Sequence, residues 1–170
     1  MLTLIIGGAG SGKSAFAEAH VCRFSGNRVY LATMLPHGAE GRERIEKHRA
    51  QRAGKGFMTL ERGLDLAHVE LPAGANVLLE DLSNLLANEL FEKAGGGPDA
   101  VRRGLEHLIG ASESLTVVTN EVFSGGADYG EESLRFMRLL ADLNRELAKR
   151  ADLVVETVCG LPNVLKGELP

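Results

Sequence analysis

The sequence predicts a single-domain α/β fold over residues 1–170, with a mostly parallel central sheet and helices on both of its faces. Two observations support this prediction. Short apolar runs typical of buried strands alternate with longer segments whose apolar residues recur at helical spacing. The first of these runs also leads directly into a glycine-rich loop and a helix, which is the order from which parallel sheets are built.

Each predicted element follows from its local pattern. Leu2–Ile6 is a continuous apolar run that ends at a glycine, which indicates a strand buried on both faces. The other predicted strands are 28–33, 57–61, 75–81, 115–122 and 152–158. The predicted helices are 13–24, 40–53, 82–94, 99–112 and 131–151, with a glycine turn at 95–97 and a glycine-rich loop at 123–130.

Composition narrows the class of protein. The 170 residues are 44% apolar and 25% charged, with a formal net charge of −4, which is typical of a globular protein and argues against nucleic-acid binding through phosphate neutralisation. The apolar runs are shorter than the roughly 20 residues that span a bilayer, so we expect no membrane span. The N-terminus lacks the pattern of a signal peptide, so we expect the protein to be cytoplasmic.

The loop after the first strand fits the complete phosphate-binding signature G-x-x-x-x-G-K-S. Glycines let backbone N–H groups surround an anion, and the helix that follows directs its positive dipole end at the same phosphates. Lysine reaches the β- and γ-phosphate oxygens, and the serine hydroxyl is offered to Mg²⁺. The predicted nucleotide-binding residues of the loop are Gly7, Gly8, Ala9, Gly10, Ser11, Gly12, Lys13 and Ser14.

An acidic pair follows the predicted strand at 75–81. Glu80 and Asp81 come after three apolar residues, where a carboxylate at the strand end would reach a magnesium ion directly or through water. The alternative is that the pair caps the next helix, with Asp81 as its N-cap. The candidate metal ligands are therefore Ser14, Glu80 and Asp81.

His48 is the histidine with an informative neighbourhood. On the predicted helix 40–53 it shares a face with Arg44 and Arg52, four residues before and after it. Several i,i+4 charge pairs would also explain this helix as a solvated surface. The alternative is that the histidine attacks phosphorus while the arginines hold its oxygens.

These motifs together resemble the bifunctional adenosylcobinamide kinase / adenosylcobinamide-phosphate guanylyltransferases of cobalamin assembly. The phosphate-binding loop alone is generic, but the ordered set of matches over almost the whole chain is specific. The matching stretches are GGxxSGKS at 7–14, YLAT at 30–33, RIxxHRxxR at 44–52, TLE at 59–61, LLExxxxLLANEL from Leu78, VVTNEV from Val117 and CGLPNVLK from Cys159.

The resemblance implies a two-step enzyme that uses ATP and GTP as substrates with Mg²⁺. The first step phosphorylates the aminopropanol hydroxyl of adenosylcobinamide, and the second passes GMP from GTP to the product through a guanylylated histidine. It implies His48 and Lys13 as catalytic residues. It also implies a homo-oligomer, since members of the family are trimers, built on a mixed, mostly parallel sheet. It also adds these candidate nucleotide contacts: Thr33, Arg49, Arg52, Glu61 and Glu80.

The chain differs from the family pattern in a few places. The family usually has an arginine at the position of Gly10, and a tryptophan before the threonine-x-glutamate motif, whereas this chain contains no tryptophan. The sequence after Val122 also differs from the family pattern. Two other functions remain open at this point: a member with one of the two activities, and a regulatory nucleotide switch with a mobile loop at 123–130.

Overall fold

Seven strands form one sheet in the computed structural model, which describes residues 1–36, 54–123 and 128–169. They are β1 (Leu2–Gly7), β2 (Arg28–Ala32), β3 (Phe57–Glu61), β4 (Asn76–Glu80), β5 (Ser114–Asn120), β6 (Leu153–Val158) and β7 (Leu161–Lys166). Across the sheet their order is β3-β2-β4-β5-β1-β6-β7. Strand β1, which leads into the glycine-rich loop, therefore lies between β5 and β6.

The sheet is parallel except at one edge, where β7 pairs antiparallel with β6. The predicted α/β fold with a mostly parallel sheet is confirmed. The local pattern does not predict β7, because Pro162 interrupts the apolar residues between Leu161 and Val164. An edge strand tolerates a proline, since one side of its backbone needs no N–H donor for the ladder.

Four α-helices connect the strands in the described part of the chain. They are α1 (Lys13–Val21), α2 (Leu82–Phe91), α3 (Gly97–Ala111) and α4 (Glu131–Arg150), and a 3₁₀ helix spans Leu66–His68. The helix predicted at 40–53 and residues 124–127 of the predicted loop lie outside the described residues.

Several helix boundaries differ from the prediction by one to three residues, and α2 ends at Phe91 rather than Ala94. Helix α1 ends at Val21 rather than Phe24, because the N–H groups of Arg23 and Phe24 donate to carbonyls three residues back and close a tighter turn. Helix α3 starts at Gly97, inside the predicted glycine turn. The carboxylate of Glu89 accepts a hydrogen bond from the N–H of Gly96 at 2.7 Å, which fixes the approach to α3.

Two apolar layers cover the two faces of the sheet. Successive residues of β1 divide between them: Leu2 and Leu4 pack in the layer that contains α2, α3 and α4, whereas Ile5 packs with Ala17 and Val21 of α1. All five side chains are buried. Each fully buried aliphatic side chain stabilises the fold by about 1.5–3 kcal/mol, so both layers hold β1 and the loop that follows it in place.

Six parallel strands place their carboxyl ends at one edge of the sheet, and the glycine-rich loop follows the end of β1. These ends are Gly7, Ala32, Glu61, Glu80, Asn120 and Val158. In sheets of this class, ligands bind at this edge, where the strand order reverses direction. None of the helices in the described ranges combines the length and apolar character needed to cross a bilayer.

Candidate functional site

The glycine-rich loop leaves β1 at Gly7 and enters α1 at Lys13. Gly10 and Gly12 have φ values of 72° and 89°, a region that favours glycine because it has no Cβ. The Ser11 N–H donates to the Gly8 carbonyl at 3.2 Å, which closes the turn between them. The loop therefore has the tight backbone that its sequence signature predicts.

Two of the glycines also face close neighbours. A Cβ on Gly7 would lie 2.4 Å from Ser11 Oγ and 2.9 Å from the Thr157 carbonyl oxygen. A Cβ on Gly12 would lie 3.0 Å from the Cα of Gly160. A side chain at either position would displace the loop or the strands beside it.

The turn between β6 and β7 supports the loop from one side. The Gly160 N–H donates to the Ser11 carbonyl at 2.9 Å, and the hydroxyls of Ser11 and Thr157 lie 3.0 Å apart. Sequence reasoning missed Thr157 and Gly160 as supporting residues. The available signal was the CGLPNVLK stretch, which contains Gly160.

Lys13 and Ser14 extend from the first turn of α1. Lys13 is 8% exposed and its Nζ donates to the Gly8 carbonyl at 3.2 Å, so the ammonium group lies over the loop. The Ser14 hydroxyl donates to Glu80 Oε1 at 2.6 Å. The structure thus brings together a lysine ammonium group and a hydroxyl from the glycine-rich motif and a carboxylate from the end of β4, all of which the sequence analysis had singled out.

Glu80 is the acidic residue that reaches the loop. Burial raises the pKa of its carboxyl to about 7, while the hydrogen bond from Ser14 and the charge of Lys13 act in the opposite direction. The second oxygen, Oε2, is buried and has no hydrogen-bond partner among the described residues. A buried carboxylate oxygen without a partner is suited to a cation.

Asp81 occupies a different position. It is the N-cap of α2, and its Oδ1 accepts from the Asn84 N–H at 2.7 Å. Its Oδ2 accepts from the Asn120 side-chain amide at 3.2 Å. Burial raises the pKa of Asp81, and these hydrogen bonds and the charge of Lys13 oppose that shift. The capping role is confirmed, and a metal-binding role for Asp81 stays a prediction.

Thr33 is completely buried beneath the acidic pair. Its Oγ1 accepts from the Asp81 N–H at 2.8 Å and lies 3.0 Å from the Glu80 carbonyl oxygen. The Asn88 amide donates to the Thr33 carbonyl at 2.8 Å. Thr33 therefore positions the backbone of Glu80 and Asp81, and its predicted contact with a nucleotide stays a prediction.

The remaining predicted residues lie apart from this cluster or outside the described chain. Glu61 is exposed at the end of β3, which is separated from β4 by β2. His48, Arg49 and Arg52 lie outside the described residues, so their predicted roles are not placed relative to the loop.

A magnesium ion fits the residues around Glu80. The described residues contain no cluster of three or more His, Cys, Asp or Glu side chains able to hold a metal. Mg²⁺ does not require one, because it keeps several waters and binds through one or two protein oxygens together with substrate phosphates. The Ser14 hydroxyl and the unpartnered Glu80 Oε2 supply that kind of partial site.

Comparison with known proteins identifies the family. The model of the cobinamide kinase / cobinamide phosphate guanyltransferase family matches residues 3–165. The chain belongs to this family. It is similar to the bifunctional adenosylcobalamin biosynthesis protein CobP of Pseudomonas aeruginosa, with 37% identity over 99% of both chains.

Two further relatives are also bifunctional adenosylcobalamin biosynthesis proteins. The bifunctional adenosylcobalamin biosynthesis proteins CobU of Escherichia coli and Salmonella typhimurium are 32% and 31% identical, over 95% of this chain and 97% of each relative. The match extends over nearly the whole length of both partners, so the family assignment includes the β6–β7 turn as well as the loop. Cobinamide kinase / cobinamide phosphate guanyltransferases are kinases and nucleotidyltransferases, so the resemblance inferred from the motifs is confirmed.

Proposed function

We propose that this chain phosphorylates adenosylcobinamide with a nucleoside triphosphate and then transfers GMP from GTP to the phosphorylated product. The observation that carries the proposal is the Ser14–Glu80 hydrogen bond beside Lys13, at the mouth of a phosphate-binding loop, in a member of this family. Family membership favours an enzyme over a regulatory switch, and the bifunctional relatives favour two activities over one.

In the kinase step, the loop backbone and Lys13 bind the phosphates of ATP. Ser14 and Glu80 would hold Mg²⁺, which would supply positive charge to offset the charge of the transferred phosphoryl group. Thr33 and Asn88 keep Glu80 in place through the backbone contacts described above. Positioning and electrostatic stabilisation dominate phosphoryl transfer, so this arrangement supplies most of what the protein contributes.

In the guanylyl step, a ring nitrogen of His48 attacks the α-phosphorus of GTP. A nitrogen–phosphorus bond forms, the bond to pyrophosphate breaks, and pyrophosphate leaves with the electron pair while the imidazole loses its proton. The phosphate oxygen of the phosphorylated cobinamide then displaces the histidine and accepts GMP. Arg49 and Arg52 are the proposed partners of the phosphate oxygens, and a covalent intermediate divides one difficult displacement into two easier ones.

We also propose that the chain forms a homo-oligomer, and the family resemblance implies that this oligomer is a trimer. The exposed edge strand supports this: Leu161 and Leu165 of β7 are 71% and 58% exposed. An exposed apolar edge strand is a ready surface for association. Light scattering coupled to size-exclusion chromatography measures the mass directly.

Product analysis tests the two-step function. Wild-type protein incubated with Mg²⁺, ATP and adenosylcobinamide should yield a phosphate monoester, and addition of GTP should convert it to the GDP-linked product with release of one pyrophosphate. GTP supplied with unphosphorylated cobinamide, under conditions without phosphoryl transfer, should yield no GDP-linked product. A monoester that GTP does not convert would reduce the chain to the kinase activity, and a GDP-linked product formed only from supplied phosphorylated cobinamide would reduce it to the guanylyltransferase activity.

The raised pKa of Glu80 predicts a pH-dependent metal affinity. Mg²⁺ binds the ionised carboxylate, and a pKa of about 7 means that Glu80 becomes increasingly protonated as the pH falls below that value. Protons therefore compete with the metal below that pH, and the apparent Mg²⁺ affinity should fall by up to about tenfold per pH unit. We expect Mg²⁺ to raise the unfolding temperature more at pH 8 than at pH 6, with a non-hydrolysable ATP analogue present.

The Glu80→Gln variant is the control for this measurement. It lacks the titrating carboxyl of Glu80, so any pH dependence that remains comes from other groups, such as the nucleotide phosphates and Asp81. Equal stabilisation of the wild type by Mg²⁺ at pH 6 and pH 8 would contradict the role of Glu80.

A further inference from the structure

A second cavity, of about 440 Å³, lies between α2 and α4. Most of its wall is apolar: Ala87 and Phe91 come from α2, Phe136 and Met137 from α4, and Val122 from the segment after β5. Cavities of this size that are lined mainly by apolar side chains are typical of small-molecule sites.

Consecutive residues connect this cavity with the phosphate-binding loop. Val122 lines the apolar cavity, whereas Glu121 lines a cleft of about 300 Å³ whose wall includes Gly8–Ser11. The Glu121 N–H donates to the Gly7 carbonyl at 3.1 Å, which fixes the segment against the start of the loop. One backbone segment thus separates the apolar cavity from the site that binds phosphate.

The same region is tied to the acidic pair. The side-chain amide of Asn120, two residues before Val122, donates to Asp81 at 3.2 Å and to the Ser83 hydroxyl at 3.0 Å. Asp81 caps the helix that supplies Ala87. The cavity wall and the Glu80 side of the loop are therefore parts of one hydrogen-bonded framework.

The rim of the cavity offers polar groups beside the apolar wall. Tyr129, Glu132 and Ser133 contribute a phenol, a carboxylate and a hydroxyl, each able to accept a hydrogen bond. Phe91 and Tyr129 are 58% and 38% exposed, so apolar surface is available to a ligand. The ligand that matches this lining has an apolar body and N–H donors at its margin.

We propose that this cavity holds one edge of the corrinoid ring of the acceptor, while the hydroxyl-bearing arm crosses the Glu121–Val122 segment to the phosphate-binding loop. A corrinoid is a broad apolar macrocycle with carboxamide side chains around its margin, and those amides supply the N–H donors that the rim accepts. The cavity takes an edge of the ring rather than the whole of it. This inference rests on the proposed function, because the family identifies the acceptor and the cavity gives its position.

Substitutions in the cavity test the placement. Phe91→Ala removes an exposed apolar contact, and Ala87→Trp fills the space from the same helix. Equilibrium dialysis with cobinamide, followed by its visible absorbance, measures binding without any chemical step. We expect each variant to weaken cobinamide binding by about tenfold, and the KM for ATP in the kinase assay to change by less than about twofold.

Leu134→Ala is the matched control, because Leu134 is a 37% exposed apolar residue of α4 that does not line the cavity. Met137→Ala provides a second cavity variant on α4, and thermal unfolding verifies that each variant is folded. Unchanged cobinamide binding in the folded cavity variants would overturn the placement alone. A wild-type protein that binds no cobinamide would contradict the proposed function as well. If a cavity variant has a different oligomeric mass but binds cobinamide as the wild type does, the cavity is a contact between copies of the chain. That result would overturn the proposal.

Discussion

Replacing His48 with alanine is expected to abolish covalent labelling of the protein by α-labelled GTP. The proposed intermediate is a bond between a histidine nitrogen and the α-phosphorus, and alanine has no nucleophilic atom with which to form it. Wild-type protein incubated with Mg²⁺ and α-labelled GTP, then denatured, should carry a label that survives base and is released by acid. The kinase step should persist in His48→Ala, because its proposed residues lie on the loop and β4.

His68→Ala is the control for this experiment. His68 is a surface histidine whose Nδ1 lies 2.8 Å from Asp65 Oδ1, in an i,i+3 pair away from the loop. Its removal should leave labelling unchanged. A label of normal yield in His48→Ala would show that another residue carries the nucleotide, and an unlabelled wild type would contradict the covalent mechanism.

The loop was predictable from sequence because its requirements are local. Positive φ values at Gly10 and Gly12 demand glycine, and the lysine and serine follow within two residues. The strand before the loop was equally clear, since Leu2–Ile6 is buried on both faces and Thr3 is the one polar residue in an otherwise apolar run. Short-range patterns of this kind need no knowledge of the rest of the fold.

Contacts between distant segments could not be predicted in the same way. Glu80 and Asp81 are equivalent in the sequence pattern, and the structure separates them: one accepts from Ser14, 66 positions away, and the other caps α2. The Ser11–Thr157 contact spans 146 positions. Such pairings depend on strand order, which the alternation of strands and helices does not determine. The proline in β7 also concealed the strand whose turn supports the loop.

Thr33 illustrates a second limit of sequence reasoning. The family resemblance suggested a nucleotide contact for it, and the structure shows its side chain buried and hydrogen-bonded to the backbone of the acidic pair. A small hydroxyl at a strand end can either contact a ligand or hydrogen-bond to the backbone. The burial of Thr33 arises from packing against α2, which the local sequence does not reveal. We expect residues of this kind to affect catalysis through the position of Glu80.

Lys13→Ala is expected to lower kcat/KM for ATP in the kinase step by about a hundred- to a thousandfold, the range typical for loss of one charged or hydrogen-bonding group in a preorganised site. Lys13 is 8% exposed and lies over the loop, where a cation stabilises negative charge on the β- and γ-phosphates. Steady-state phosphorylation of adenosylcobinamide measures this effect. Lys93→Ala, at an exposed lysine after α2, is the matched control and should retain wild-type rates.

The same variant should also change the pH dependence of the reaction. The charge of Lys13 lowers the pKa of Glu80 and of Asp81, in opposition to burial. Without that charge Glu80 stays protonated to higher pH, so the pH at which Mg²⁺ begins to stabilise the protein should rise above the wild-type value. A thermal-unfolding series with Mg²⁺ across pH 6 to 9 measures the displacement. If the kinase rate falls but the pH at which Mg²⁺ begins to stabilise the protein does not change, Lys13 acts on the nucleotide alone. An unchanged kinase rate would contradict the proposed role of the loop in the kinase step.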